Sequence, residues 1–187
     1  ELRPTLRSRC HKVQFHPVEE EVIRAQLEKE EKTLTSAQLG LAARVAAGSI
    51  AAAGSFDFSD FERRRQPWTA FLDGIASKPH GSMTPAGWKS LFDSAKALAE
   101  NRSETERTLK MGYTLLSDML RLLESGDENR LVNIDLASRL KMWAAALGLA
   151  GIEKLKTALD DTYRLQTRNV NQQLGWEALA VNLLSSD

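Results

Sequence analysis

The residues with the greatest chemical capacity stand near the start of the chain, where Arg7-Ser8-Arg9-Cys10-His11 is followed shortly by His16. Cys10, His11 and His16 are metal-ligand types, yet on an extended segment successive side chains alternate faces and no fourth ligand is near in sequence, so exposed histidines and no metal site are expected. Cys10 reads as a small buried hydrophobe and not as a nucleophile. Taken alone, Arg9 is a solvated arginine in a basic opening segment. Further on, Arg63-Arg64-Arg65 has the look of a phosphate-binding run. Three consecutive helical residues spread over most of the circumference, which favours a solvated face or an intersubunit contact over DNA. The chain offers no Ser-His-Asp order, paired-carboxylate motif or glycine-rich phosphate loop, so nothing supports an enzyme acting on its own substrate.

These residues belong to 187 residues that are 42% hydrophobic and 27% charged, with 25 basic side chains balanced by 25 acidic ones. That is the composition of a globular protein with one sizeable domain or two small ones, and its bulk charge does not attract nucleic acid. The single cysteine excludes an internal disulfide framework and a zinc site built from several cysteines. No apolar run approaches a membrane span and no signal peptide is apparent, so a cytoplasmic location is expected. The chain lacks an initiator methionine, and Lys12 to Phe15 alternates like a strand that has no partner. It is therefore expected to be the C-terminal part of a longer protein.

From Pro17 onward the patterns are helical. Val18 to Lys32 places Val22, Ile23 and Leu27 on one face, with Pro17 suited to the first turn. Thr35-x-x-Gln38 is a capping box for a helix that runs to Gly48, and Ser49 to Gly54 makes a brief third. A boundary falls near residue 56. Beyond it, Ser59-x-x-Glu62 opens a helix that Pro67 should kink or interrupt, and Thr84-Pro85 begins another. Ser103-x-x-Glu106 starts a longer one with two apolar stripes, which include Leu109, Tyr113 and Leu123 on one side and Leu115 and Met119 on the other. Asp135 can cap the next helix, which should end near Gly148, while Ile152, Leu155, Leu159 and Tyr163 mark a further one. The last spans Asn171 to Leu184. Trp68, Trp88, Trp143 and Trp176 are core or interface anchors. The fold class is all-α: a small three-helix unit (17–55) and a bundle of five or six helices (56–187), with an orphan strand in 1–16.

Three segments together carry a resemblance. Leu6-Arg7-Ser8-Arg9-Cys10 is similar to the Ser-Arg-Cys motif of clamp-loader AAA+ subunits, and Gly48-Ser49-Ile50-Ala51-Ala52-Ala53 is similar to their lid segment Gly-Ser-x-Gly-Arg-Ala except at the arginine. Asn133-Ile134-Asp135, followed by Arg168-Asn169-Val170-Asn171, Leu174 and Leu179, resembles their collar. The resemblance spans nearly the whole chain and is strongest to the delta-prime branch of the bacterial DNA polymerase III clamp loader. It implies that 1–16 closes an AAA+ domain, that 17–55 is the lid, and that 56–187 is the collar through which subunits oligomerise.

On that resemblance the chain is a non-hydrolysing scaffold in a five-subunit, ATP-driven machine that places a sliding clamp on primed DNA. Arg9 would be an arginine finger acting in trans, stabilising charge on ATP held by a neighbour, with Ser8 and Cys10 as motif support. Ala52 replaces the lid arginine, so no cofactor is expected on this chain itself, and ATP would be bound by neighbouring subunits. The implied partners are the gamma/tau and delta subunits through the collar, with the clamp and primed DNA reached indirectly and no membrane involved. Two other readings stay open. One is an ATP-hydrolysing gamma/tau-type subunit, which needs a phosphate loop upstream; the other is an unrelated helical adaptor.

Overall fold

The computed structural model describes residues 16–31, 33–76, 83–100, 102–166, 168 and 170–185. Ser8, Arg9, Cys10 and the expected strand at 12–15 lie outside them. Among the described residues every regular element is helical and there is no strand, so the fold is all-α. The chain divides into two compact units, Glu1–Phe56 and Asp57–Asp187.

The first unit contains α1 (Glu20–Glu30), α2 (Ser36–Val45) and α3 (Ile50–Gly54). Ile23 and Leu27, one turn apart, are the buried residues of α1. Val22 sits about 100° around the helix from Ile23 and is 52% exposed, which corrects its expected place on the inner face. Pro17 does not enter the first turn either, because α1 begins after Glu19. It packs instead on Gly48, whose φ is +90° and where a Cβ would stand 2.4 Å from that of Pro17, and the Val18 N–H donates to the Gly48 carbonyl at 2.9 Å. The capping box of α2 forms as its spacing predicts: the Gln38 N–H donates to Thr35 Oγ1 at 3.3 Å, and the Thr35 N–H to Gln38 Oε1 at 2.9 Å. Ser49 caps α3 by accepting from the Ala52 N–H at 3.2 Å.

The second unit contains α4 (Phe58–Ala76), α5 (Pro85–Ala99), α6 (Thr105–Ser125), α7 (Ala137–Leu165) and α8 (Gln172–Leu184), with single 3-10 turns at Arg102–Glu104, Glu128–Arg130 and Ile134–Leu136. Three tryptophans, Trp68, Trp143 and Trp176, are almost completely buried. Trp68 and Trp176 meet edge to face with centroids 5.2 Å apart, and the Trp68 indole N–H donates to the Thr108 carbonyl at 2.8 Å, which satisfies its one polar atom.

Several local expectations are corrected here. The start of α4 is capped by Asp57, whose carboxylate accepts from the Ser59 N–H at 2.9 Å and the Asp60 N–H at 3.0 Å, and not by Ser59. The helix runs through Pro67 without ending, since Trp68, Phe71 and Leu72 bury the following turns and outweigh one lost hydrogen bond. A 3-10 turn precedes α6, which begins at Thr105 with no side-chain cap. Leu123 and Tyr163, expected on inner stripes, are 44% and 54% exposed. The expected stop at Gly148 is present: its φ of +57° and ψ of −175° are not helical, so α7 consists of two helical segments that meet at this residue.

Candidate interaction surface

A network of buried polar groups fixes the entry to α7. Asp118 on α6 has no exposed surface, and its carboxylate accepts from the Val132 N–H, the Asn133 N–H and the Asn133 side-chain amide, each at 2.9 Å. Arg121 stands 3.5 Å away. Asn133 is equally buried, and its Oδ1 accepts from Arg65 at 3.4 Å. Arg65 is only 5% exposed and is ion-paired with Asp135 and with Glu62, both at 2.6 Å. Burial acts to lower its pKa, but the hydrogen bonds and charges of Asp135 and Glu62 outweigh that, so the guanidinium titrates above its ordinary value. Asp135 therefore spends its carboxylate on α4, and α7 begins without a side-chain cap, contrary to expectation. Of the arginine run, Arg65 points inward and is not part of a solvated face. Arg63 pairs with Asp60 at 2.7 Å and with Glu104 at 3.0 Å, and Arg64 pairs with Asp60.

The network holds up α7, and α7 with α8 forms the surface of interest. Asn171 caps α8 by accepting from the Leu174 N–H at 3.4 Å. Trp176, Leu179, Ala180, Leu183 and Leu184 face the core. On the other side Leu174, Ala178, Val181 and Asn182 are exposed, Leu174 by 59%, and none of them is charged. A helix whose outer face meets only water ordinarily carries charge there. Between α7 and α8 lies a groove of about 680 Å³, lined from α7 by Ala150, Glu153, Thr157 and Asp161 among others. Lys154 bridges the two helices, reaching the Asn182 carbonyl at 3.5 Å and its side-chain oxygen at 3.3 Å. Met142 and Leu149, on either side of the Gly148 break, are exposed by 43% and 60%.

Tyr113 ties α6 to α7 by donating to Asp160 at 2.5 Å, and Lys156 pairs with the same carboxylate at 2.7 Å. Burial, then the hydrogen bond and charge of Asp160, push the Tyr113 phenol up to about 12. Asp160 is held below the usual carboxylate range, first by the Lys156 hydrogen bond and then by that of Tyr113.

Of the residues singled out in the sequence, Arg9, Ser8 and Cys10 fall outside the described part. Ala52 is exposed on α3. Asn133 and Asp135 are brought together in the network, whereas Leu174 is on the open face of α8 and Leu179 is in the core. His16 is exposed, and among the described residues no group of three His, Cys, Asp or Glu side chains could hold a metal ion. No helix of that part is long and apolar enough to cross a membrane. Sequence reasoning passed over Asp118, Glu153 and Asp161. The signal for Asp118 was a lone acid between Leu115, Leu116 and Met119; for the open face it was Leu174, Ala178 and Val181 at helical spacing with Glu177 as the one charge among them. Compared with known proteins, the chain matches no protein-family model, no curated protein and no solved structure.

Proposed function

We propose that the protein is an assembly subunit of the delta-prime type in the bacterial DNA polymerase III clamp loader, joining neighbouring subunits through residues 57–187 and acting in the cytoplasm during DNA replication. One observation carries this reading: Leu174, Ala178 and Val181 are solvent-exposed and aligned along the outer face of α8, where the one charged residue of the helix, Glu177, is half-buried at the edge. An exposed apolar helix face costs solubility in a monomer and gains free energy when another surface covers it. The Ser-Arg-Cys segment and the order of the collar-like motifs supply the identity of the machine. In that machine Arg9 acts in trans on ATP bound by a neighbour, with Ser8 and Cys10 supporting its position, and Ala52 leaves this chain without a lid arginine of its own. Its partners are the gamma/tau and delta subunits, and it reaches the sliding clamp and primed DNA through them.

The test is to mix the protein with purified gamma/tau and delta subunits and follow size-exclusion elution. A co-eluting complex is the expected result. Separate elution of all components under conditions where gamma/tau and delta associate with an authentic delta-prime subunit would contradict the assignment.

A further inference from the structure

The groove between α7 and α8 has two unlike rims. On the α8 side the wall is formed by Gly175, Ala178, Leu179 and Asn182, the first two offering little bulk, while the exposed Leu174 and Val181 stand outside the groove on the adjoining face of the helix. Small residues let a packed helix approach closely, and the open face with Leu174 and Val181 continues from them around α8. On the α7 side the rim carries two carboxylates, Glu153 and Asp161, about 12 Å apart along the helix axis. Glu153 makes no ion pair among the described residues. Asp161 has only a loose one, to Arg164 at 3.9 Å, and that arginine's side chain is 75% exposed. The one cation lining the groove among the described residues, Lys154, is turned onto the Asn182 carbonyl in the last turn of α8, where a positive charge is favourable for the helix dipole.

We infer that this groove takes an amphipathic helix of a partner subunit, laid with its apolar face on α8 and with two basic side chains, seven or eight residues apart, meeting Glu153 and Asp161. The inference rests on the assembly reading above and specifies the chemistry of the partner at this site. Charge decides against a second copy of this chain presenting its own α8: that helix carries no cation and only an acid, Glu177, at the edge of its outer face, and docking it would desolvate both carboxylates with no positive charge opposite them. A partner helix with lysine or arginine at that spacing turns the same desolvation into two ion pairs flanking an apolar contact.

The whole chain can be titrated, with fluorescence anisotropy as readout, against two labelled helical peptides that share an apolar face and differ only in carrying two arginines or two glutamates eight residues apart. The arginine peptide should bind about tenfold tighter at low salt, from two rim ion pairs on one side and like-charge repulsion on the other, and the preference should shrink as salt is raised. In the double variant Glu153→Gln, Asp161→Asn, with unfolding checked to be unchanged, the preference should fall to about twofold or less. Equal affinity for the two peptides, binding of neither, or a preference that survives the double variant would overturn the inference. If the peptides fail while the loader subunits still co-elute, the partner chemistry is wrong and the assembly reading stands. If the arginine preference holds while no loader complex forms, the groove stands and the identity of the machine falls.

Discussion

A carboxylate with no exposed surface has to be answered by donors, and Asp118 is answered by three N–H groups from residues 132 and 133. Asp118→Ala leaves those donors buried and unpaired, so a loss of about 4 kcal/mol in urea unfolding is expected. A loss under about 1 kcal/mol would mean that water replaces the carboxylate. Tyr113 gives a test in pH. Folding raises its pKa from 10.0 to about 12, so its contribution to stability is complete below pH 10 and disappears as the pH climbs toward 12. The phenolate absorbance difference between the protein and Tyr113→Phe should have its midpoint near 12 while the chain remains folded; a midpoint at 10 would show the Asp160 bond absent in solution. Arg9 is testable in a reconstituted loader carrying this chain, where Arg9→Ala should slow single-turnover hydrolysis at the adjoining site by about 10³ and Arg9→Lys should recover only part of it. Unchanged turnover in both variants would make Arg9 a bystander. At this scale the sequence is legible in part. Asn133 and Asp135 stand out as a motif, but their partners Asp118 and Arg65 lie 15 and 70 residues away, and no local pattern announces such a pairing.

Helices are most legible where the interactions that end them are local. The box between Thr35 and Gln38 spans three residues and forms as its spacing predicts, and Asn171 caps α8 in the same way. Ser59 and Asp135 are misread for a shared reason: a competing group wins, Asp57 two residues upstream in one case and Arg65 from another helix in the second. Gly148 is read correctly as a stop: its backbone is not helical, and the two segments of α7 on either side of it bury Trp143 before it and Ile152 after it. The break depends on glycine, since φ +57° with ψ −175° belongs to a region that other residues avoid. A Cβ there meets nothing within 4 Å, so Gly148→Ala should cost about 2 kcal/mol from backbone conformation alone, measured by urea unfolding. A neutral or stabilising substitution would show that packing, and not glycine, sets the break.

The all-α class follows at the scale of the molecule from helical periodicity sustained across the chain, and that much is plain in the sequence. The open face of α8 was harder to see. In the sequence Gln172 to Leu184 is apolar on nearly all sides, and only its packing onto the core shows which side is left over. That residual face is the basis of the assembly reading. Val181→Glu together with Ala178→Glu places two charges on it without touching Trp176, Leu179 or Leu183, so folding should be retained while docking is lost. Sedimentation velocity of the protein mixed with gamma/tau and delta subunits, compared with the same mixture containing this double variant, is the most direct test of the central claim. The account predicts a discrete complex for the unaltered protein and free subunits for the variant, whereas no complex in either mixture, or an equally populated complex in both, would contradict it.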